Sequence, residues 1–260
     1  MSRQLLLHLR SHHLLPPHIL EQFGHLTIAV QICGFYSTKF PLWKLGYFLG
    51  EEWLEDEVLD GLAEFLYFKT AATSVPLGIP PPFLYLPTSF FNEARALFHV
   101  DCGVRNYSPN LEALRQRLQH TSVNTLGFLE YATNHFSGYI TKDFHSLKHA
   151  DSMHRGPPKD LLPVLRWVLS GLSIGVPSVV EPVTIDRQGQ GGGEGSCAIA
   201  AHNFLACSVD SMLNRWSAPT SRKVRDDLLR DLCIYNQVSS MTVGVSPLVV
   251  NVQLNAYCVM

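Results

Sequence analysis

Gly195-Ser196-Cys197-Ala198-Ile199-Ala200-Ala201-His202-Asn203-Phe204 places one cysteine where a glycine-rich loop gives way to a run of small, helix-compatible residues. The loop before it, Gln188-Gly189-Gln190-Gly191-Gly192-Gly193-Glu194-Gly195, can adopt the positive φ angles that close backbone approach demands. A thiol at a helix start lies beside unsatisfied backbone N–H groups and the positive end of the helix dipole. Both favour thiolate, the reactive form. Upstream, His135 and Asp151 are of the residue types that activate and orient such a nucleophile. The pattern predicts cysteine hydrolase chemistry centred on Cys197.

Composition narrows the setting. A chain of 260 residues can bury a substantial core, as one large domain or two small ones. Its apolar fraction is 46% and its charged fraction 16%, against roughly 25% charged in an ordinary soluble domain. Wholesale disorder is excluded, and a net charge of −2 gives no basis for nonspecific nucleic-acid binding. Cys33, Cys102, Cys197, Cys207, Cys233 and Cys258 form neither a CxxC pair nor a zinc-type grouping. His145, His149 and His154 lack ligand spacing as well, so neither a metal nor another cofactor is expected. Leu5-Leu6-Leu7 is soon interrupted by His8, Arg10, His12 and His13, unlike a secretory signal. No run is long and apolar enough to span a bilayer. The expectation is an intracellular, reducing setting, nuclear or cytoplasmic, with no membrane contact and Cys197 kept free.

Along the chain, residues 1–45 read as an irregular extension, punctuated by Pro16-Pro17 and Pro41, with Leu26 to Val30 as a strand or a partner-binding segment. Residues 46–260 read as the catalytic domain. Leu54, Val58, Leu62, Phe65 and Leu66 recur at helical steps between Trp53 and Phe68, behind Glu55, Asp56 and Glu57 in the first turn. Further helices are expected over Leu111 to Gln119, Asp160 to Leu169, Cys197 to Leu213 and Ser221 to Leu232. Strands are expected over Leu126 to Tyr131, His135 to Ile140 and Val179 to Ile185, with Leu84 to Leu86 as a short extended piece. Helices and strands intermix without strict alternation, which is the α+β class.

Four pieces then stand in a telling order: Trp53-Leu54-Glu55-Asp56, His135-Phe136, Asp151-Ser152, and Gln190 ahead of Gly195-Ser196-Cys197. This order resembles the ubiquitin-like-protein-specific cysteine proteases, the SUMO (sentrin-specific) protease family, in its divergent fungal-type form. The resemblance covers roughly residues 50–215. It implies a papain-like cysteine protease fold, with a mixed or antiparallel sheet and a central helix starting at the nucleophile. It implies Cys197 as nucleophile, His135 as general base, Asp151 as the group orienting the imidazole and Gln190 as an oxyanion donor. Gln188 competes with Gln190, because an inserted glycine would shift the register. By the same resemblance Trp53 and Phe136 wall a narrow path that admits only the Gly-Gly tail of a ubiquitin-like partner.

Two residues depart from the family pattern. Phe136 replaces the usual Trp after the base, losing an indole N–H, and Ala198 replaces the usual Gly after the nucleophile, adding a methyl near the substrate path. Two functions therefore stay open. The first is a peptidase or isopeptidase acting on a ubiquitin-like protein or its conjugate; the alternative is a weak or inactive relative that only binds one. Other catalytic signatures fail. Glu194 and Ala198 break the nucleophile-elbow pattern around Ser196, and the glycine run lacks the Gly-Lys-Ser/Thr ending of a phosphate loop.

Overall fold

Strand Phe136–Lys142 reads FSGYITK, and its alternating side chains serve two different cores, which makes it the centre of the molecule. The computed structural model describes residues 3–27, 29–51, 53–71, 82–101, 106–120, 123–189 and 194–241. Among these the sheet has five strands: β1 (Phe83–Tyr85), β2 (Thr125–Tyr131), β3 (Phe136–Lys142), β4 (Ser146–Ala150) and β5 (Val179–Pro182), in the order β1-β2-β3-β4-β5. The central pairings β2–β3 and β3–β4 are antiparallel, and the outer ones, β1–β2 and β4–β5, are parallel. The fold is α+β with a mixed sheet, as the sequence predicts.

Side-chain alternation explains the layering. Leu129, Phe136, Ile140 and Ala150 face one core, which is closed by α3 (Asp56–Ala71), α7 (Cys197–Val209) and α8 (Ser221–Met241). Leu126, Phe128, Tyr139 and Leu147 face the other, closed by α4 (Phe90–Asp101), α5 (Pro109–His120) and α6 (Leu161–Leu169). On that second face Phe91, Phe128, Tyr139 and His149 stack in a row across three strands, with neighbouring centroids 5.7, 5.0 and 4.8 Å apart. The short register between strands puts these rings opposite one another.

Helix α7 lies directly on β3, and Gly138 makes this possible. A Cβ there would stand 2.9 Å from Phe204 Cδ1 and 3.0 Å from the Ala201 carbonyl, so any side chain would push the helix off the sheet. The small residues Ala198, Ala200 and Ala201 are buried on α7. Together they let the helix that begins with Cys197 approach the strand that begins beside His135.

The amino-terminal segment differs from its expected irregular form. It carries α1 (Arg3–Ser11) and α2 (Pro17–Gly24), then a 3-10 helix over Leu42–Phe48. Leu5 and Leu9, then Ile19 and Phe23, form i,i+4 pairs that bury in the same core as α3 and α8. His8 Nε2 lies 2.8 Å from Asp226 Oδ1, and Gln237 donates to Gln22 across 3.0 Å, so α1 and α2 are tied to α8. The boundary expected near residue 45 is therefore crossed by one continuous core. Pro16 ahead of α2 and Pro17 at its first turn start that helix rather than breaking the chain, since a proline there forfeits no helical hydrogen bond. Leu26 to Val30 forms no strand among its described residues; the pairing nearby is a single bridge between Gln31 and Pro41.

Candidate active site

The β2–β3 hairpin presents His135. Thr133 and Asn134, at the centre of its turn, have φ of 49° and 56°. Two successive positive φ values are the mirror-image turn whose twist suits antiparallel strands. Asn adopts that geometry readily, whereas β-branched Thr is strained in it. Local bonds hold the turn: Tyr131 Oη donates to Asn134 Oδ1 at 2.9 Å, and Arg155 Nη1 donates to Thr133 Oγ1 at 2.9 Å. His135 follows at once, buried at the head of β3.

Asp151 comes from the end of β4, two strands' ends brought side by side by the β3–β4 pairing. His135 Nε2 lies 3.0 Å from Asp151 Oδ2. The other carboxylate oxygen accepts the backbone N–H of Met153 at 2.6 Å and that of Arg155 at 3.3 Å. Arg155 thus braces both the Asp151 turn and the hairpin that carries His135. With Nε2 engaged, Nδ1 is the ring nitrogen left for Cys197. It is buried and engaged by no other side chain, and the Cys197 side chain acts on the ring to raise its pKa.

Electrostatics make this pair unusual. Burial pulls the His135 imidazole down, but the hydrogen bond and charge of Asp151, joined by Cys197, outweigh it and hold its pKa up at about 9. Burial pushes Asp151 up, yet the His135 hydrogen bond and charge, with the Met153 and Arg155 N–H groups, hold it below its ordinary value. At neutral pH the pair is imidazolium and carboxylate. By linkage, a raised histidine stabilises the fold fully below its unfolded pKa, near 6.5, and that contribution is lost as pH rises through about 9. The lowered Asp151 stabilises above its unfolded value and loses its contribution only as pH falls below the ordinary aspartate range. The melting temperature of the protein is therefore expected to exceed that of Asp151→Asn by a constant margin near pH 6, and the margin is expected to shrink as pH rises from about 6.5 through about 9. A pH-independent margin would contradict a charged pair.

Cys197 is the first residue of α7, fully buried, preceded by Gly195 at φ 73°. Among the described residues Cys33, Cys207 and Cys233 are free thiols too. Burial pushes the Cys207 and Cys233 thiols up, so both stay protonated at neutral pH. Neither has a histidine and carboxylate arrayed beside it. Other histidines are unsuited to hold a proton: burial drives His202 down to about 4, and burial with the nearby His135 charge outweighs Asp151 to lower His149.

Gln190 lies outside the described residues. Gln188 is described: its N–H donates to the Ser152 carbonyl at 2.9 Å, and its Oε1 accepts the Ser152 hydroxyl at 3.0 Å. This places Gln188 against the residue that follows Asp151.

Trp53 and Phe136 line one cleft of about 830 Å³, together with Leu54, Glu55, Asp56, Glu57, Tyr131 and Asn134. Helix α3 opens at Asp56, three residues beyond Trp53. Trp53 is 46% exposed and forms a wall, but Phe136 is 1% exposed and forms the floor. The second exposed ring is Tyr131, 37% exposed, 4.8 Å from Phe136. Sequence reasoning missed it, although Tyr131 is the strand partner of Phe136 and the hairpin register would have shown it. Lys44 bridges Glu55 at 2.5 Å and Glu57 at 3.0 Å, leaving Asp56 as an unbridged acid on the same rim. Burial, with the charges of Glu57 and Glu55, raises its pKa.

The sheet thus brings His135 and Asp151 together on adjacent strand ends, beside a helix headed by Cys197, the residue types that a cysteine–histidine–carboxylate triad requires. No protein-family model and no curated protein matches this chain by sequence. Solved structures do match in fold. The C-terminal Ulp1 protease domain in complex with Smt3, the yeast ortholog of SUMO, superposes with a TM-score of 0.61 at 13% identity, over 84% of this chain and 95% of that one. Ulp1 with its catalytic cysteine oxidised to a sulfenic acid gives 0.62 at 13%, over 84% and 95%. The Ulp1-like SUMO protease catalytic domain of Chaetomium thermophilum gives 0.60 at 14%, over 86% and 90%. The chain has the Ulp1 protease-domain fold.

Proposed function

We propose that this chain is a cysteine-type peptidase or isopeptidase that cleaves after the Gly-Gly tail of a ubiquitin-like modifier. The observation that carries this reading is the buried Asp151–His135 pair acting on Cys197 at the start of a helix, within a fold shared with Ulp1. In the reaction, Cys197 Sγ, as thiolate beside the protonated His135, attacks the carbonyl carbon of the second glycine and the former carbonyl oxygen becomes an oxyanion. Collapse breaks the C–N bond while His135 delivers its proton to the departing amine, leaving a thioester. Water then attacks the thioester, giving its proton to His135, and Sγ leaves. Asp151 keeps the imidazole oriented and stabilises its charged form throughout. Gln190 and the Cys197 N–H supply the oxyanion donors, with Gln188 the competing glutamine. No cofactor enters the scheme.

The exposed rings of this cleft support the preference for glycine in this reading. Trp53 and Tyr131 are exposed rings above a floor made by Phe136, and a tail without Cβ atoms lies flat between them. Among the described residues no helix is long and apolar enough to cross a membrane. An intracellular reducing setting, in which Cys197 stays a thiol, accords with the proposed chemistry.

One observation favours the second reading, a partner-binding relative without turnover: Cys197 is fully buried and Ala198 beside it is 1% exposed. Incubation with vinyl-sulfone probes of ubiquitin-like modifiers separates the two. The protease reading expects an adduct on Cys197 with a Gly-Gly-ended probe and little with an Ala-Ala-ended one. Binding without an adduct on any probe would overturn it and leave the second reading; equal labelling by both tails would overturn the glycine path.

A further inference from the structure

Arg225 on α8 is fully buried, a costly place for a guanidinium. Its hydrogen bonds converge on the two residues before the nucleophile. Nη2 donates to the Gly195 carbonyl at 3.2 Å and to Ser196 Oγ at 3.2 Å, Nε donates to Ser196 Oγ at 3.3 Å, and Nη1 donates to the Tyr47 carbonyl at 3.1 Å. The Ser221 hydroxyl adds a further bond to Ser196 Oγ at 2.7 Å. Ser196 and Ser221 are themselves buried.

This arrangement changes what Ser196 does. A serine preceding the first residue of a helix ordinarily turns its oxygen onto the backbone N–H groups of the first turn. Ser196 caps α7 in position but makes no such bond, because its oxygen accepts from Arg225 and Ser221 instead. The amides at the start of α7 are not spent on the serine. Gly195, at φ 73°, presents its carbonyl to the same guanidinium. The Gly195 carbonyl and the Ser196 hydroxyl, on the two residues ahead of Cys197, are thus held by one planar fork, whose geometry a lysine cannot reproduce.

We infer that Arg225 is a positioning residue for the nucleophile: by gripping Gly195 and Ser196 it sets the backbone entering Cys197, and with it the direction of the Cys197 N–H and thiol. The inference rests on Cys197 being the reactive thiol. It goes beyond a packing role for α8, which requires no convergence on those two residues.

The test uses the full chain and three variants: Ser196→Ala, Arg225→Lys and Arg225→Met. Melting temperature is measured together with the pH dependence of Cys197 alkylation by iodoacetamide, read by peptide mapping. Where a Gly-Gly-ended substrate is turned over, kcat and KM are measured too. Ser196→Ala removes only a buried hydroxyl and keeps Arg225, so it decides the matter even if both Arg225 variants fail to fold. Expected are a roughly tenfold slower Cys197 alkylation at neutral pH in Ser196→Ala, the scale of one charge-assisted hydrogen bond, and a profile displaced to higher pH. The loss in turnover is expected in kcat with KM little changed. Arg225→Lys, if folded, is expected to fall between Ser196→Ala and Arg225→Met. Wild-type alkylation rates and pH midpoint in folded Ser196→Ala would overturn the inference. Alkylation requires no substrate, so absence of turnover in the unmodified protein would defeat the protease reading while this comparison still decided the role of Arg225.

Discussion

His135→Ala is expected to lower kcat/KM on a Gly-Gly-ended substrate by roughly 10²–10⁴-fold, the range for removing a positioned general base. The loss has two sources. Acylation loses the imidazolium that protonates the departing amine, and deacylation loses the base that takes a proton from water. His202, held down at about 4, and His149, also lowered, hold no proton to donate where the reaction runs, so neither supplies the imidazolium that acylation needs. Asp151 keeps the Met153 and Arg155 N–H bonds after the substitution, so the turn it organises is retained although the carboxylate loses its charged partner. A folded His135→Ala protein with a lower melting temperature is therefore expected. Asp151→Asn is expected to lose less, since nucleophile and base both remain. Steady-state kinetics beside thermal melts check the pair, and wild-type turnover in folded His135→Ala would remove His135 from the mechanism.

Gln190→Ala is expected to slow acylation by roughly 10²–10³-fold, as loss of one oxyanion donor does. Gln188→Ala is expected to be mild. The Gln188 side-chain oxygen already accepts the Ser152 hydroxyl and its backbone N–H is tied to the Ser152 carbonyl, an arrangement that serves the Asp151 turn. The measurement is the single-turnover acylation rate of each variant on a Gly-Gly ester. The reverse ranking would assign the oxyanion role to Gln188 and leave the other assignments standing.

Much of the central fold was legible in the sequence because its signals are local. Strand patterns between Leu126 and Ile140 fall within β2 and β3, apart from a one-residue shift at His135, and the small-residue run after Cys197 is α7. The helix expected from Trp53 begins three residues later, at Asp56, because Trp53 turns outward to the cleft rather than joining the helical stripe. The helix at Cys197 ends at Val209 rather than Leu213, where Asp210 takes up extended backbone. The sequence over α4 carries no helical expectation, and that over α1 and α2 reads as irregular. In α1 the apolar pair Leu5 and Leu9 is diluted by His8 and Arg10, and only burial against α8 reveals its face.

By itself, the sequence determined the chemistry that is available: a cysteine at a helix start, a histidine ahead of an aspartate in chain order, and small residues that let α7 approach a strand. Those are properties of residue type and short spacing. Only the tertiary structure decided which histidine meets which carboxylate, that Tyr131 rather than Phe136 is the exposed ring, and that Arg225 is spent on Gly195 and Ser196. Each of these depends on strand register or on helix packing across long stretches of chain, as with Arg225 and Tyr47, 178 positions apart. Contacts at that separation are selected by the burial of the whole core, and no local pattern encodes them.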